Sequence, residues 1–165
     1  MSAAARPVKG VSAALIDGLC AIVGDKNVLI DAADMAGYLT DWTRQFSGSA
    51  IAVVRPSGTD EVSRIVRLCG SAGVCIVPQG GNTGLAGGGI PSSDTPSIVL
   101  SLSRMNTIRH FDEAGRTIVA DAGVVLEVLQ AFVDERDLYF PLTFGAKGSC
   151  SIGGALATNA GGSNV

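Results

Sequence analysis

Val74-Cys75-Ile76-Val77-Pro78-Gln79-Gly80-Gly81-Asn82-Thr83-Gly84-Leu85-Ala86-Gly87-Gly88-Gly89 is an apolar run that breaks abruptly into glycine without a single charged residue. Its first four residues predict a buried strand stopped by Pro78, which has no N–H to give a sheet ladder. Upstream, Ala50-Ile51-Ala52-Val53-Val54 predicts a second strand that ends at Arg55-Pro56. Between the two, Thr59 is suited to an N-cap ahead of Asp60 and Glu61, whose charges favour a first helical turn. Val62, Ile65, Val66 and Cys69 then recur at helical spacing, which predicts one buried stripe, and Gly73 is placed to end the helix as its C′ residue. Strand, helix and strand together make a βαβ unit with the glycines at its exit.

The glycine run is suited to anion binding. Glycine permits close approach of main chain to another molecule, so consecutive N–H groups can point into one concavity. Between residues 78 and 102 the only charge is Asp94, so a pyrophosphate here would meet neutral dipoles rather than basic side chains. A P-loop is excluded, because Lys9, Lys26 and Lys147 are not in a Gly-Lys-Ser/Thr context. The order Gly81-x-x-Gly84-x-x-Gly87, running on to Ile90-Pro91, also departs from the GxGxxG that opens a Rossmann helix.

A second cluster lies near the other end, at Gly145-Ala146-Lys147-Gly148-Ser149-Cys150-Ser151-Ile152-Gly153-Gly154 and on through Thr158, Asn159, Ala160, Gly161 and Gly162. Six of the 22 glycines fall within 80–89 and six within 145–162, and the remaining ten are at ordinary density. Residues 151–158 predict a helix of small residues, which calls for something flat or bulky packed against it. Between the clusters, Ser97–Leu102, 108–111 and 116–120 predict strands, the last two turning at Asp112–Gly115. Residues 124–136 predict a helix with Val125, Val128, Leu129, Phe132 and Val133 on one face. The apolar stretch Val11 to Val23 predicts a short amphipathic helix after an N-cap at Ser12, ahead of all of this. The pattern is α+β or α/β, with both glycine clusters in connections.

Composition narrows the function. In 165 residues, 47% are hydrophobic and the net charge is −3, giving a folded chain with no general electrostatic reason to bind nucleic acid or an anionic membrane. No run reaches the ~18 apolar residues of a membrane span. Cys20, Cys69, Cys75 and Cys150 form no CxxC, and His110 is the one histidine, so no metal site is expected and the cysteines read as reduced thiols of a cytosol-like compartment. MSAAARPVKG makes a poor secretory signal and, at most, a short mitochondrial presequence. His110 and Cys150 read as structural, Trp42 as a core aromatic, and Lys147 equally as a phosphate or carboxylate contact or a solvated loop tip. Residues alone stop at a phosphate-bearing flat ligand.

At Pro56 with Asp60-Glu61-Val62, PQGGNTGLAGG at 78–88, Leu102-Ser103-Arg104-Met105-Asn106, Glu135-Arg136-Asp137 and PLTFGAKGSCSIGGALATNAGG at 141–162, the sequence resembles FAD-dependent D-2-hydroxyacid dehydrogenases. These belong to the vanillyl-alcohol-oxidase superfamily with its PCMH-type FAD-binding domain; D-2-hydroxyglutarate dehydrogenases resemble the chain most, with D-lactate dehydrogenases and the glycolate oxidase flavin subunit nearby. The resemblance runs from about Asp41-Trp42 onward, and implies an N-terminal lead-in over 1–49 and an incomplete FAD-binding domain over 50–165.

It implies a pyrophosphate-wrapping role for Pro78, Gln79, Gly80, Gly81, Asn82, Thr83, Gly84 and Leu85. For Pro141, Gly145, Ala146, Gly148, Ser149, Ile152, Gly153, Gly154, Thr158, Asn159, Ala160, Gly161 and Gly162 it implies a path along the ribityl chain and flavin ring. Asn82-Thr83 stand where covalent members often carry histidine, which implies noncovalent FAD. The resemblance further implies a small 2-hydroxyacid substrate, an electron acceptor, a homodimer, a mitochondrial-matrix location in a eukaryote, and catalytic residues beyond Val165. The competing class is a non-catalytic adenine-nucleotide-binding or protein-interaction module using the same nest.

Overall fold

The computed structural model describes residues 13–162. The expected N-cap Ser12, the MSAAARPVKG segment and Ser163-Asn164-Val165 lie outside the described residues. The chain divides into two compact units, one holding residues up to Gln79 together with Gly84–Ser101, the other holding Gly80–Thr83 together with residues from Leu102 onward. No helix among the described residues is long and apolar enough to cross a membrane.

The first unit is built on a four-stranded sheet. Its elements are α1 (Ala13–Val23), β1 (Val28–Leu29), α2 (Ala32–Met35), β2 (Val53–Val54), α3 (Thr59–Ala72), β3 (Cys75–Gln79) and β4 (Ser97–Ser101). Strand order is β1-β2-β4-β3, with β2 and β3 parallel to β4 and β1 antiparallel to β2. The expected βαβ unit is present, and β4 sits between its two strands. All five β4 residues are buried, as a central parallel strand covered on both faces requires. Met35, Ala50, Val53 and Val99 form a core on this sheet.

Several local expectations need correction. The 74–77 strand is not buried: β3 is the edge strand, with Cys75 and Pro78 exposed, and it continues through Pro78 because an edge needs no ladder donor on its open side. Thr59 is the first helical residue of α3, whose N-cap is Gly58, while the Glu61 carboxylate takes the Ser57 N–H at 2.7 Å. Ile65 and Cys69 are fully buried in α3, whereas Val66 is exposed and Leu68 meets Gly18 of α1 instead. Gly73 does end α3, in the left-handed region at φ +65°.

The second unit holds β5 (Ile108–Asp112), β6 (Thr117–Ala120), α4 (Leu126–Asp134) and α5 (Ile152–Ala157). β5 and β6 form an antiparallel hairpin whose turn is held by the Asp112 carboxylate accepting from Ala114 N–H. α4 buries Leu126, Leu129 and Val133; Val128, expected inside, is exposed. The inward stripe follows i, i+3, i+7 and passes one residue to the side of Val128. Two small cores meet at α4: Val124, Leu129 and Val133 against the hairpin, and Leu126, Leu142, Cys150 and Ala155 against the 140–160 segment.

Candidate functional site: a neutral hollow where the two glycine segments meet

Within the second unit, the start of the first glycine cluster lies on the middle of the second. A Cβ added to Gly81 would stand 1.7 Å from the Ser149 carbonyl oxygen, and one added to Gly80 would stand 2.0 Å from the Ser151 hydroxyl. At Gly81 main-chain atoms leave no room for a side chain, and at Gly80 the Ser151 side chain would have to give way. Beside this contact is a hollow of about 160 Å³ lined by Gly80, Gly81, Ser103, Asn106, Gly123, Val125, Ser149 and Ser151. Four of its lining residues, Ser103, Asn106, Gly123 and Val125, carry no role in the sequence reading above. Gly123 stands alone in the sequence, outside both clusters, and only the fold shows its need: a Cβ there would meet the Leu102 carbonyl at 1.9 Å.

The wall holds no ionisable side chain. Among the described residues, the main-chain N–H groups of Gly81 and Thr83 donate to no main-chain carbonyl. Neutral hydroxyl, carboxamide and amide donors around a small cavity suit a phosphate ester, and the hollow is below the ~300–1,000 Å³ of whole-ligand pockets, so it takes one part of a dinucleotide. Cys150 lies beneath as a packing residue; burial pushes its thiol pKa up, opposed by a hydrogen bond with Thr83.

α5 contributes differently from what its position suggests. Ile152 N–H donates to the Val124 carbonyl, Gly153 N–H to the Ala122 carbonyl, each at 2.8 Å, and Gly154 N–H to the Ser151 hydroxyl at 3.3 Å. Its first amides are thus consumed by the chain itself. Gly153 is required by Ala122, whose Cβ would be 2.6 Å from an added Cβ. The something packed closely on this helix is therefore partly the 121–125 turn. Ile152 and Ala160 turn their side chains into the core. Pro141, Gly145, Gly148, Ser149, Thr158, Asn159 and Gly161 are exposed, and Leu156 is 78% exposed, leaving an open small-residue face. Ala146 accepts from Ser149 and Cys150 N–H, and Gly162 lies against Thr143.

In the first unit, Gly84 has open space around it and Leu85 is exposed. Gln79 is buried, with its side chain bonded to the Tyr38 and Gly89 carbonyls. Asn82 adopts φ +53°. Trp42 is 73% exposed, correcting the expected core aromatic. Its neighbour Asp41 is the buried member instead, with Thr43 and Phe46 donating to its carboxylate. His110 is exposed on β5. Lys147 pairs with Glu127 at 3.7 Å, both half-exposed, beside a larger concavity whose wall includes Asp134. Those carboxylates oppose a phosphate there, and an exposed pair of this kind is worth at most ~1 kcal/mol.

The sequence profile of an FAD binding domain matches residues 50–165, which span both glycine clusters. The chain belongs to the FAD binding domain family. It is 44% identical over 141 residues to the mitochondrial D-2-hydroxyglutarate dehydrogenase of Arabidopsis thaliana, covering 86% of this chain and 25% of that protein. It is 43% identical over 157 residues to a Schizosaccharomyces pombe mitochondrial protein named for D-lactate dehydrogenase activity, covering 95% of this chain and 28% of that one. The chain thus spans about a quarter of the length of these relatives. Its fold matches a crystal form of alkyldihydroxyacetonephosphate synthase with a TM-score of 0.84 at 20% identity, over 93% of this chain and 30% of the other. The architecture is the PCMH-type FAD-binding fold, in part, and the family's cofactor is FAD.

Proposed function

We propose that this chain is the FAD-binding portion of a flavoprotein dehydrogenase that oxidises a D-2-hydroxyacid, such as D-2-hydroxyglutarate, D-lactate or glycolate, to the 2-oxoacid. The observation that carries the reading is the neutral, amide-lined hollow formed where Gly80-Gly81 meets Ser149-Ser151, in a chain 44% identical to a D-2-hydroxyglutarate dehydrogenase. Bound flavin supplies the acceptor for the hydride leaving the 2-carbon as the hydroxyl proton passes to a base.

The chain's own part is binding and exclusion of water. Residues 80–85 offer main-chain donors to the pyrophosphate without any competing cation, Pro78 and Gln79 lead the chain into that loop, and Asn82-Thr83 in place of a histidine leave FAD held noncovalently. Pro141, Gly145, Ala146, Gly148, Ser149, Gly153, Gly154, Thr158, Asn159, Gly161 and Gly162 give the ribityl chain and ring a face free of bulky side chains, with Ile152 and Ala160 holding that face from inside. Residues 50–165 act as the FAD-binding domain and 1–49 as its lead-in. The mitochondrial names of the relatives support a matrix location in a eukaryotic source.

The test is to express the complete reading frame, purify the protein and record its visible spectrum. The expected result is a flavin band that bleaches anaerobically on adding D-2-hydroxyglutarate, D-lactate or glycolate, and no bleaching by L-2-hydroxyglutarate or L-lactate. A colourless protein indifferent to added FAD refutes the reading.

A further inference from the structure

Resting on the reading that the first glycine loop holds the cofactor's phosphates, we infer that Gln79 is a positioning residue whose buried carboxamide closes that loop from behind. Gln79 is the last residue of β3 and is only 3% exposed. Its Nε2 donates to the Gly89 carbonyl at 2.8 Å and to the Tyr38 carbonyl at 2.9 Å. A carboxamide nitrogen has two N–H groups, so both are spent. Gly89 is ten residues further on; one side chain therefore fastens the loop's return to its departure, and both to the short 3₁₀ turn Ala36–Tyr38.

The same lead-in meets the returning chain at two further points. The Phe46 ring lies against Gly87, which sits at φ +71° and where a Cβ would be 2.7 Å from the ring; Gly48 lies against the Pro91 carbonyl, and its N–H donates to Leu39. Residues 87, 89 and 91 are thus all held by residues 38–48. Only glutamine offers two donors at this reach without bringing a charge into a buried place. Closing the loop before the ligand arrives removes the ordering cost from the binding step. Gln79 acts through the loop's shape, and its Nε2 is not available to a phosphate.

The test uses Gln79→Met, which keeps the volume and removes both donors, and Gln79→Glu, which sets oxygen against two carbonyls. In the FAD-free protein from the complete reading frame, both substitutions should speed amide hydrogen exchange across 84–89 while leaving α1 and α3 protected. FAD dissociation constants should rise about tenfold or more for each, as expected when two buried carbonyls lose their donor. Between pH 8 and pH 5.5 the Gln79→Glu deficit relative to wild type should shrink, because a carboxyl buried against carbonyls takes up a proton and regains one donor; the Gln79→Met deficit should stay flat.

Affinities within twofold of wild type overturn the inference. So does a loss of affinity with unchanged exchange in the FAD-free protein, which would make Gln79 a direct ligand. If wild type itself binds no FAD, the functional reading fails separately, and the exchange data still decide the clamp. Should neither variant fold, Phe46→Ala, at a half-exposed position, is expected to quicken exchange at 87–89, and unchanged exchange there counts against the clamp.

Discussion

Replacing Gly81 by alanine puts the meeting of the two glycine segments under direct strain. The new methyl would stand 1.7 Å from the Ser149 carbonyl oxygen, 2.7 Å from its carbon and 3.3 Å from the Cys150 Cα, all main-chain atoms with no rotamer to yield. Restoring a separation of roughly 3.5 Å, near the optimum for non-bonded heavy atoms, needs a main-chain shift of roughly 1.8 Å. Ser149 and Cys150 are pinned by their N–H bonds to the Ala146 carbonyl at 3.0 and 2.8 Å, and Leu126 N–H holds the Cys150 carbonyl at 2.9 Å. Forced repacking costs ~1–3 kcal/mol, and losing one or two of those bonds adds ~1 kcal/mol each, so a loss of about 3 kcal/mol is expected. In a domain of this size that lowers Tm by roughly 6–12 °C. The control is Gly84→Ala, where an added Cβ meets nothing within 4 Å; its stability should stay within ~0.5 kcal/mol of wild type while FAD affinity falls. Urea unfolding of the FAD-free proteins reads both. If Gly81→Ala is as stable as Gly84→Ala, the segments do not pack as described and the hollow between them loses its basis.

Gly87→Ala should weaken FAD binding and stability through contact with Phe46, and Phe46→Ala in the same chain should restore part of the loss, a coupling measurable by a double-mutant cycle; strict additivity would contradict the contact. Burial alone would raise the Asp41 pKa, but the Thr43 hydroxyl and the main-chain N–H groups of Phe46, Thr43 and Gln45 overcome it and hold the carboxyl below its usual value. That depressed pKa contributes stability that is present above the unfolded value of ~3.9 and is lost as pH falls through the folded one, so Asp41→Asn should flatten the acid limb of a stability–pH curve; an unaltered limb argues against it. Exposed Cys75 should react with iodoacetamide in the native protein, while Cys69 and Cys150, buried and with thiol pKa values pushed up by burial, should label only on unfolding; mass spectrometry of the peptides distinguishes the two, and native labelling of Cys150 would contradict its packing role.

Elements with a strong local code were legible in the sequence. α3 has acidic residues in its first turn and Gly73 at its end, and the hairpin turn has Asp112 and Gly115; each signal is read within a few residues and each holds. What failed was set by neighbours far away in sequence. Val74–Val77 looks buried because it is apolar, yet β4 takes the central place and leaves β3 at the edge. Val66 and Val128 satisfy a helical period as well as their inward neighbours, and only the partner surface decides which side of the stripe is covered. Trp42 is large and apolar, but the carboxylate next to it captures the amides of the 43–46 turn and turns the indole outward.

For the site, glycine density was the right signal with an incomplete meaning. It suggested main chain bared for a ligand. At Gly80, Gly81, Gly123 and Gly153 the missing Cβ is instead occupied by the chain's own carbonyls and side chains, and removing it brings 80–83, 121–125 and 149–153 within contact of one another. At Gly84, Gly145 and Gly161 nothing of the described chain fills that space. The two sets do different work: the first packs the second unit's segments together around the hollow, and the second leaves open space at its own positions. A sequence scan gives them equal weight because both read as glycine, and the difference is a property of what lies opposite. Stability measurements on alanine substitutions should therefore separate the sets before any cofactor is added, with the first group costly and the second nearly silent. FAD affinity should fall in both, for the first because the hollow deforms and for the second because a methyl stands where the ligand must pass.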